Sequence, residues 1–283
     1  MSSSIENTSG PVVRIAPNYY SIDDSAALKP IYGAGTKFVK SRWYTVAATP
    51  DPHVSDLFSD RNIKKHAENR KKVSNLYSMS MVVRMQDAVN DCIQLIEKRF
   101  VDFSRTGEKF NFQHWTQCFA FDVVGRITVA KRFGFLDAGE DVQHLMSAVH
   151  KYQRYSTIVG VYPEFHKLLF RLNNMVSGSG LVELLRFIAT QVEARMEANK
   201  GSEKTLQDED FLAKLLQLHE EEPQNFTMDH IMVTCLANVA AGSDTTSITL
   251  TSIMWFLLKT PEALRKASTL YHEEKSCIDS GCQ

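Results

Sequence analysis

The sequence is poor in the features that mark several large protein classes. Its five cysteines (Cys92, Cys118, Cys235, Cys277 and Cys282) are odd in number and lack framework spacing. That excludes a disulfide scaffold and suits free thiols in a reducing compartment. Neither sign of charge prevails: a net charge of −1 offers nothing to attract a nucleic-acid backbone. The first ten residues, MSSSIENTSG, hold no apolar run, so the start reads as neither signal peptide nor membrane anchor. No repeat recurs at solenoid periods. What is there is ordinary for a globular chain: 283 residues, 43% hydrophobic and 23% charged, enough for one large core or two small ones.

Proline is also missing from one long stretch, Met228 to Lys259. Its apolar residues (Ile231, Leu236, Val239, Ile248, Ile253, Leu257) point in several directions, as in a helix that belongs in a core. At helical rise the stretch spans roughly 48 Å, enough to cross a domain. Thr227 is placed to cap its start.

The middle of this helix breaks the local rules. Ala241-Gly-Ser-Asp-Thr-Thr246 puts a glycine, an acid and β-branched hydroxyls where leucine and alanine would serve better. Gly242 alone costs about 1 kcal/mol against alanine in a helix interior. Asn238, Gly242, Thr245 and Thr249 recur at i, i+4, i+7 and i+11, one narrow stripe of small and polar groups. A buried Asp244 would need a partner or a proton. Two plain readings stand beside a functional one. Hydroxyls that bond back to the i−4 carbonyl merely bend a helix. A membrane span has the length between Ile231 and Leu258, but Asp244 and the many polar groups argue against it.

The run Asn238-Val-Ala-Ala-Gly-Ser-Asp-Thr-Thr246 resembles the central oxygen-binding helix of the cytochrome P-450 family, the heme-thiolate monooxygenases, whose motif there is Ala/Gly-Gly-x-Asp/Glu-Thr. The resemblance implies close approach of Ala241 and Gly242 to heme. It implies a proton relay at Asp244, with a hydrogen bond to dioxygen at Thr245. Asn238 and Thr249 would border the substrate pocket. O–O cleavage needs protons in a dry pocket, and a hydroxyl beside a carboxylate suits that task.

A second stretch, Arg61 to Lys72, leads into a helix running through about Ser80. His66 and Arg70 are four apart and share a face. By itself this is a solvated basic helix start. Beside the central helix, His66-Ala-Glu-Asn-Arg70 resembles the family's Trp-x-x-x-Arg, whose side chains hold a heme propionate. A guanidinium fork grips a carboxylate with two hydrogen bonds. The neighbouring Lys64, Lys65, Lys71 and Lys72 form a candidate docking face for an acidic electron donor.

Elsewhere the pattern predicts a β hairpin over Val12 to Ile15 and Tyr19 to Ile22, turning at Ala-Pro-Asn. A short helix should follow to Leu28, closed by Pro30, then a long loop from Ile31 to Phe58. Helices are expected over 83–103, 110–129, 141–155, 163–172, 181–199, 211–219 and from Pro261. A turn is expected at Ser177 to Gly180 and a polar linker over 199–210. Phe121-Asp-Val-Val-Gly125 and Phe133-Gly-Phe resemble a packing signature of the family.

The fold class implied is mainly α (α+β): the N-terminal portion of a P-450-like fold with a small hairpin. It forms one incomplete domain with a polar tail (1–9), a family-like body (10–266) and a divergent tail (267–283). The function implied is insertion of one oxygen atom from O2 into a small apolar organic substrate. Heme would be the cofactor, with electrons from NADPH through a reductase-like partner. Relatives are often anchored in the endoplasmic reticulum, so this start looks shortened, and the chain as it stands is expected in the cytoplasm. The family's later Glu-x-x-Arg is absent from its place; Glu262-Ala-Leu-Arg265 follows the long helix too soon. No cysteine has arginine two before it and glycine two after it, so no residue here is a metal-ligand candidate. The thiolate supplies the electron push for O–O cleavage. The chain alone is therefore expected to be inactive, and the competing reading is a truncated, non-catalytic product, regulatory or defective. A heme-free helical binding protein is a third.

Overall fold

The computed structural model describes residues 10–33, 35–51, 56–176, 178–199 and 210–279. Two strands, β1 (Val12–Ala16) and β2 (Tyr19–Ile22), pair antiparallel, and Asn18 takes the left-handed conformation that the tight turn demands. Twelve helices follow: α1 (Leu28–Tyr32), α2 (Ile63–Val73), α3 (Met79–Arg84), α4 (Gln86–Thr106), α5 (Phe112–Val129), α6 (Phe135–Ala138), α7 (Leu145–Val159), α8 (His166–Val176), α9 (Gly180–Asn199), α10 (Phe211–Glu221), α11 (Met228–Lys259) and α12 (Pro261–Asp279). The mainly α class with one small hairpin is what the sequence implies.

Several boundaries differ from expectation. Pro30 lies inside α1 rather than closing it, in the first turn, where no intrahelical N–H is missed. The long loop 31–58 contains a 3-10 turn over Arg42–Ala47 that buries Val46 and Ala47. The helix from residue 61 breaks after Val73 into a 3-10 turn and α3. The segment at 141 starts as a 3-10 turn, with Gln143 and His144 left-handed, before α7 begins. α12 continues past Lys266 to Asp279. The linker at 200–209 and Ser177 of the expected turn lie outside the described residues.

α11 is the axis. Ile231, Cys235, Val239, Ser243 and Ser247 are buried on it at steps of four, a line that faces α5 along most of its length, with α9 and α10 packed beside. Its start is held by His230, whose Nδ1 accepts from the Thr227 N–H at 3.1 Å. The core continues through Phe121 and Phe135, which stack at 4.5 Å, and Leu184, Ile188, Leu212 and Leu215, all fully buried. The signature at 121–125 has a structural reason. Asp122, buried, accepts from the backbone N–H groups of Gly134, Phe135 and Leu136 and so caps the start of α6. Gly125 leaves room for the returning Lys131 carbonyl, which a Cβ would meet at 2.6 Å.

The far end of α11 is different. Ile248, Ile253, Trp255, Phe256 and Leu258 are all more than half exposed. Large apolar side chains thus lie open on the last three turns of the axis.

His166 joins three segments. Its Nε2–H donates to the Ala48 carbonyl at 3.0 Å, and its Nδ1 accepts from the Tyr155 hydroxyl at 3.0 Å. Burial lowers its pKa, and burial lowers that of His230 too, with Lys72 adding to the effect. Both rings are therefore held neutral. The unfolded chain protonates them below about pH 6.5 and the folded chain resists, so stability is full above that pH and falls as pH drops through it. Urea unfolding should give a lower midpoint at about pH 5.5 than at about pH 7.5, and His166→Gln, which cannot titrate, should shrink the difference. Equal pH dependence in the two proteins would remove His166 from this account.

Candidate functional site

The residues of the rule-breaking run divide between two faces of α11, because neighbours in a helix diverge by about 100°. One face is closed. Asp244, 6% exposed, points between α5 and α7. Gln117 Nε2 of α5 donates to its Oδ1 at 2.5 Å, and Gln153 Nε2 of α7 donates to its Oδ2 at 2.9 Å. His150 Nε2, one turn before Gln153, lies 3.7 Å from Oδ2. A buried carboxylate with both oxygens occupied by amide donors meets the requirement set by desolvation. Beside it, Thr116 Oγ1 bonds Thr251 Oγ1 at 3.2 Å and reaches the Ser247 carbonyl at 3.4 Å, tying the same two helices together.

The other face is open. Ala241, Thr245 and Thr249 are exposed on it. Thr245 Oγ1 donates to the Ala241 carbonyl at 2.8 Å, and Thr249 Oγ1 to the Thr245 carbonyl at 2.7 Å. Ser243 and Thr251 bond back in the same way on the closed side. The i−4 back-bonding considered as a plain reading therefore occurs at Ser243 and Thr245 within the run and at Thr249 and Thr251 beyond it, on both faces.

Asp244 and Thr245 are consequently not brought together. The expected hydroxyl beside a carboxylate is adjacent in sequence and divergent in space. A Cβ at Gly242 would meet Val124 Cγ2 of α5 at 2.8 Å, and the glycine also borders, with Ala241, an apolar cleft.

Asn238 closes one end of an apolar cleft of about 370 Å3. Tyr77, Val82, Met85, Ile127, Ala237 and Ala241 line it. The Tyr77 hydroxyl donates to Asn238 Oδ1 at 2.8 Å, and Asn238 Nδ2 donates to Thr128 Oγ1 at 3.4 Å. Burial pushes the Tyr77 phenol up to about 12, so it stays a donor at neutral pH. Thr249 lies further along, in a second cleft of about 500 Å3 with Ile248, Ile253 and Phe256.

His66 and Arg70 share α2, as expected. His66 is half-buried; burial lowers its pKa, and the charges of Lys40 and Arg70 add to that. Lys40 is thus a cation of this cluster that the sequence reading did not single out. It comes from the loop before α2, donates to the Leu57 carbonyl at 2.6 Å and sits over the Tyr44 ring. Arg70 is exposed and has no hydrogen-bond or ion-pair partner among the described residues. A free guanidinium beside a neutral imidazole suits a carboxylate ligand. Gln117, Gln153 and His150 were also missed. Gln117 had a signal, since an amide in a helix that otherwise reads as buried needs a partner; Gln153 and His150, in a polar run, had none.

Cys92, Cys118 and Cys235 are free and buried in the packing. Burial pushes the Cys92 thiol up to about 11 and those of Cys118 and Cys235 up to about 12. No group of three or more His, Cys, Asp and Glu placed to hold a metal occurs among the described residues. None of the described helices is long and apolar enough to cross a membrane.

Comparison with known proteins adds the following. The cytochrome P450 family profile matches residues 3–277. A cytochrome P450 monooxygenase of Aspergillus terreus is 30% identical over 271 residues, covering 91% of this chain and 54% of that protein. A pisatin demethylase of Fusarium vanettenii is 31% identical over 264 residues, covering 91% and 51%. The cytochrome P450 monooxygenase cicH of Emericella nidulans is 29% identical over 278 residues, covering 96% and 55%. The chain spans about half the length of the curated relatives it matches.

The contact at Gly242 yields a prediction with a change of sign. Gly242→Ala gains about 1 kcal/mol of helix propensity. It also forces apart a stiff β-branched neighbour, at about 1–3 kcal/mol. Denaturant unfolding should show Gly242→Ala destabilising in the native background and neutral or stabilising once Val124→Ala has made room. Equal effects in both backgrounds would mean that Val124 does not set the need for glycine.

Proposed function

Because the chain belongs to the cytochrome P450 family, we propose that it forms the oxygen-side wall of a monooxygenase that inserts one oxygen atom from O2 into a small apolar organic substrate. The observation that carries this reading is the open face of α11. Ala241, Thr245 and Thr249 stand exposed along it, between apolar clefts on either side. Fungal relatives of similar sequence support a setting in secondary metabolism. Heme is the cofactor we assign, with electrons from NADPH through a reductase-like partner.

The described residues suit one face of heme and its carboxylates, but not its iron. Ala241 presents a small side chain where a flat ring would lie. We assign Arg70, which has no partner among the described residues, to gripping a propionate, with the half-buried His66 on the same helix face. Burial holds the thiols of Cys92, Cys118 and Cys235 protonated, so none of these three suits the iron as a thiolate. Heme, when bound and ligated by thiolate, supplies oxygen activation. With heme in place, Ile248, Ile253 and Phe256, which line an open cleft, would help to exclude water. The chain also holds a carboxylate, Asp244, one residue from the wall. On α2, Lys64 and Lys71 are exposed, while Lys72 is committed to the Asn225 carbonyl at 2.7 Å. We assign Lys64 and Lys71 to docking of an acidic electron donor. Reversing both charges in an intact relative should slow its reduction, and an unchanged rate would remove the assignment.

A second reading has its own support. No cysteine of the sequence has the surroundings of a heme thiolate, and the last turns of α11 expose large apolar side chains. On that reading the chain is a non-catalytic product. Sequencing the transcript past codon 266 separates the two: an open frame reaching a cysteine loop favours the enzyme. For the chain by itself we expect no thiolate-type band in the carbon monoxide difference spectrum of the reduced protein. Such a band would show that the polypeptide ligates heme as its relatives do and is competent alone.

A further inference from the structure

We propose that Ser268 is a phosphorylation site for a protein kinase that reads basic residues, and that the attached phosphate is held between Arg265 and His272 on one face of α12. The inference goes beyond the monooxygenase reading and does not depend on it. Two hydroxyls in the sequence have basic residues both two and three places before them. They are Ser74, in Lys71-Lys-Val-Ser74, and Ser268, in Arg265-Lys-Ala-Ser268. Kinases of this class select their substrates by such charge patterns. By sequence the two sites are equivalent.

The fold separates them. A kinase cleft takes its substrate as an extended segment, so the residues around the hydroxyl must first open locally. At Ser74 that opening is costly. Its flanking residues Val73 and Leu76 are 3% and 4% exposed, and drawing each from the core costs about 1.5–3 kcal/mol. Lys72 is committed to the Asn225 carbonyl at 2.7 Å, and the Ser74 hydroxyl donates to the Lys71 carbonyl at 3.1 Å. At Ser268 the opening exposes little that is not exposed already. The main contact of α12 is with α11, and over residues 261–272 only Ala263 is half-buried. The Ser268 hydroxyl has no hydrogen-bond partner among the described residues, whereas that of Thr269 is spent on the Arg265 carbonyl at 3.0 Å.

The transfer is an in-line displacement with ATP as the phosphoryl donor. Ser268 Oγ bonds to the γ-phosphorus as the bond to the bridging β,γ-oxygen breaks. ADP leaves, and the catalytic aspartate of the kinase takes the hydroxyl proton. The product carries about −1.5 to −2 charge and three acceptor oxygens. Arg265, three residues before, and His272, four after, lie on the same helix face as Ser268. Lys266 is turned to Glu262 at 2.9 Å, while the exposed Arg265 guanidinium has no partner among the described residues. The phosphate therefore accepts from a guanidinium on one side and an imidazole N–H on the other, and fastens two turns of a lightly packed helix. Lys259, Arg265 and Lys266 outweigh Glu262 at this end of the molecule, and the phosphate cancels that excess.

The test treats the full chain, shown native by circular dichroism, with Mg-ATP and the catalytic subunit of a cyclic-nucleotide-dependent protein kinase. Mass spectrometry should find one phosphoryl group, on Ser268. Ser268→Ala should abolish it, Ser74→Ala should leave it unchanged, and Arg265→Ala with Lys266→Ala should slow its addition at least about tenfold. Hydrogen exchange then reads the clamp. Phosphorylation should slow exchange of the amides over 264–272 by about threefold, and His272→Ala should lose part of that slowing. No incorporation, incorporation that survives Ser268→Ala, or Ser74 modified as fast as Ser268 would overturn the site. Unchanged or faster exchange after phosphorylation, or slowing that is complete in His272→Ala, would overturn the clamp.

Discussion

The contact between α5 and α11 governs the rest of the structure. Two long helices approach closely because Gly242 has no side chain where Val124 arrives. Polar groups are then trapped in the seam, and each finds a partner there: Asp244 with Gln117, Thr116 with the Ser247 carbonyl and Thr251. Buried polar groups of this kind are stabilising only when all are satisfied. The seam therefore fixes register as well as distance. A slide of either helix by one turn would strand a carboxylate, an amide and a hydroxyl in the core.

Much of this is legible in the sequence. Local rules failed at one place on the axis, residues 241 to 246, and that place is where the two helices meet on one side and the open wall stands on the other. Sequence spacing assigned Asn238, Gly242, Thr245 and Thr249 to one stripe. It did not assign Asp244 to the opposite face with partners from α5 and α7, because those partners are 127 and 91 residues away along the chain. It also gave no sign that Val124 meets Gly242, since a missing Cβ reads the same whichever neighbour lies beside it. The helices of strong period were placed well. The weaker boundaries, at Pro30, Val73 and Asp141, were shifted by 3-10 turns that local pattern does not encode.

The same residues serve stability and chemistry. Asp122 illustrates the structural end: a fully buried acid whose oxygens accept from three backbone donors and lie 3.7 Å from the Arg132 guanidinium. Asp244 illustrates the other. Its partners are side-chain amides on two separate helices, so its bonds break without unravelling backbone. Arg70 is a third kind, a charge on the surface with no partner among the described residues. Ordering the three by what holds them separates packing from function more reliably than residue type does.

One further property follows from the way α11 treats its own hydroxyls. On the open face, Thr245 and Thr249 each spend their single hydrogen on a carbonyl one turn back. What they turn outward is bare oxygen. A wall of that kind attracts molecules that bring a hydrogen to share and is indifferent to those that offer only lone pairs. The rod thus sorts its visitors by polarity of the bond they present, before any charged group is involved.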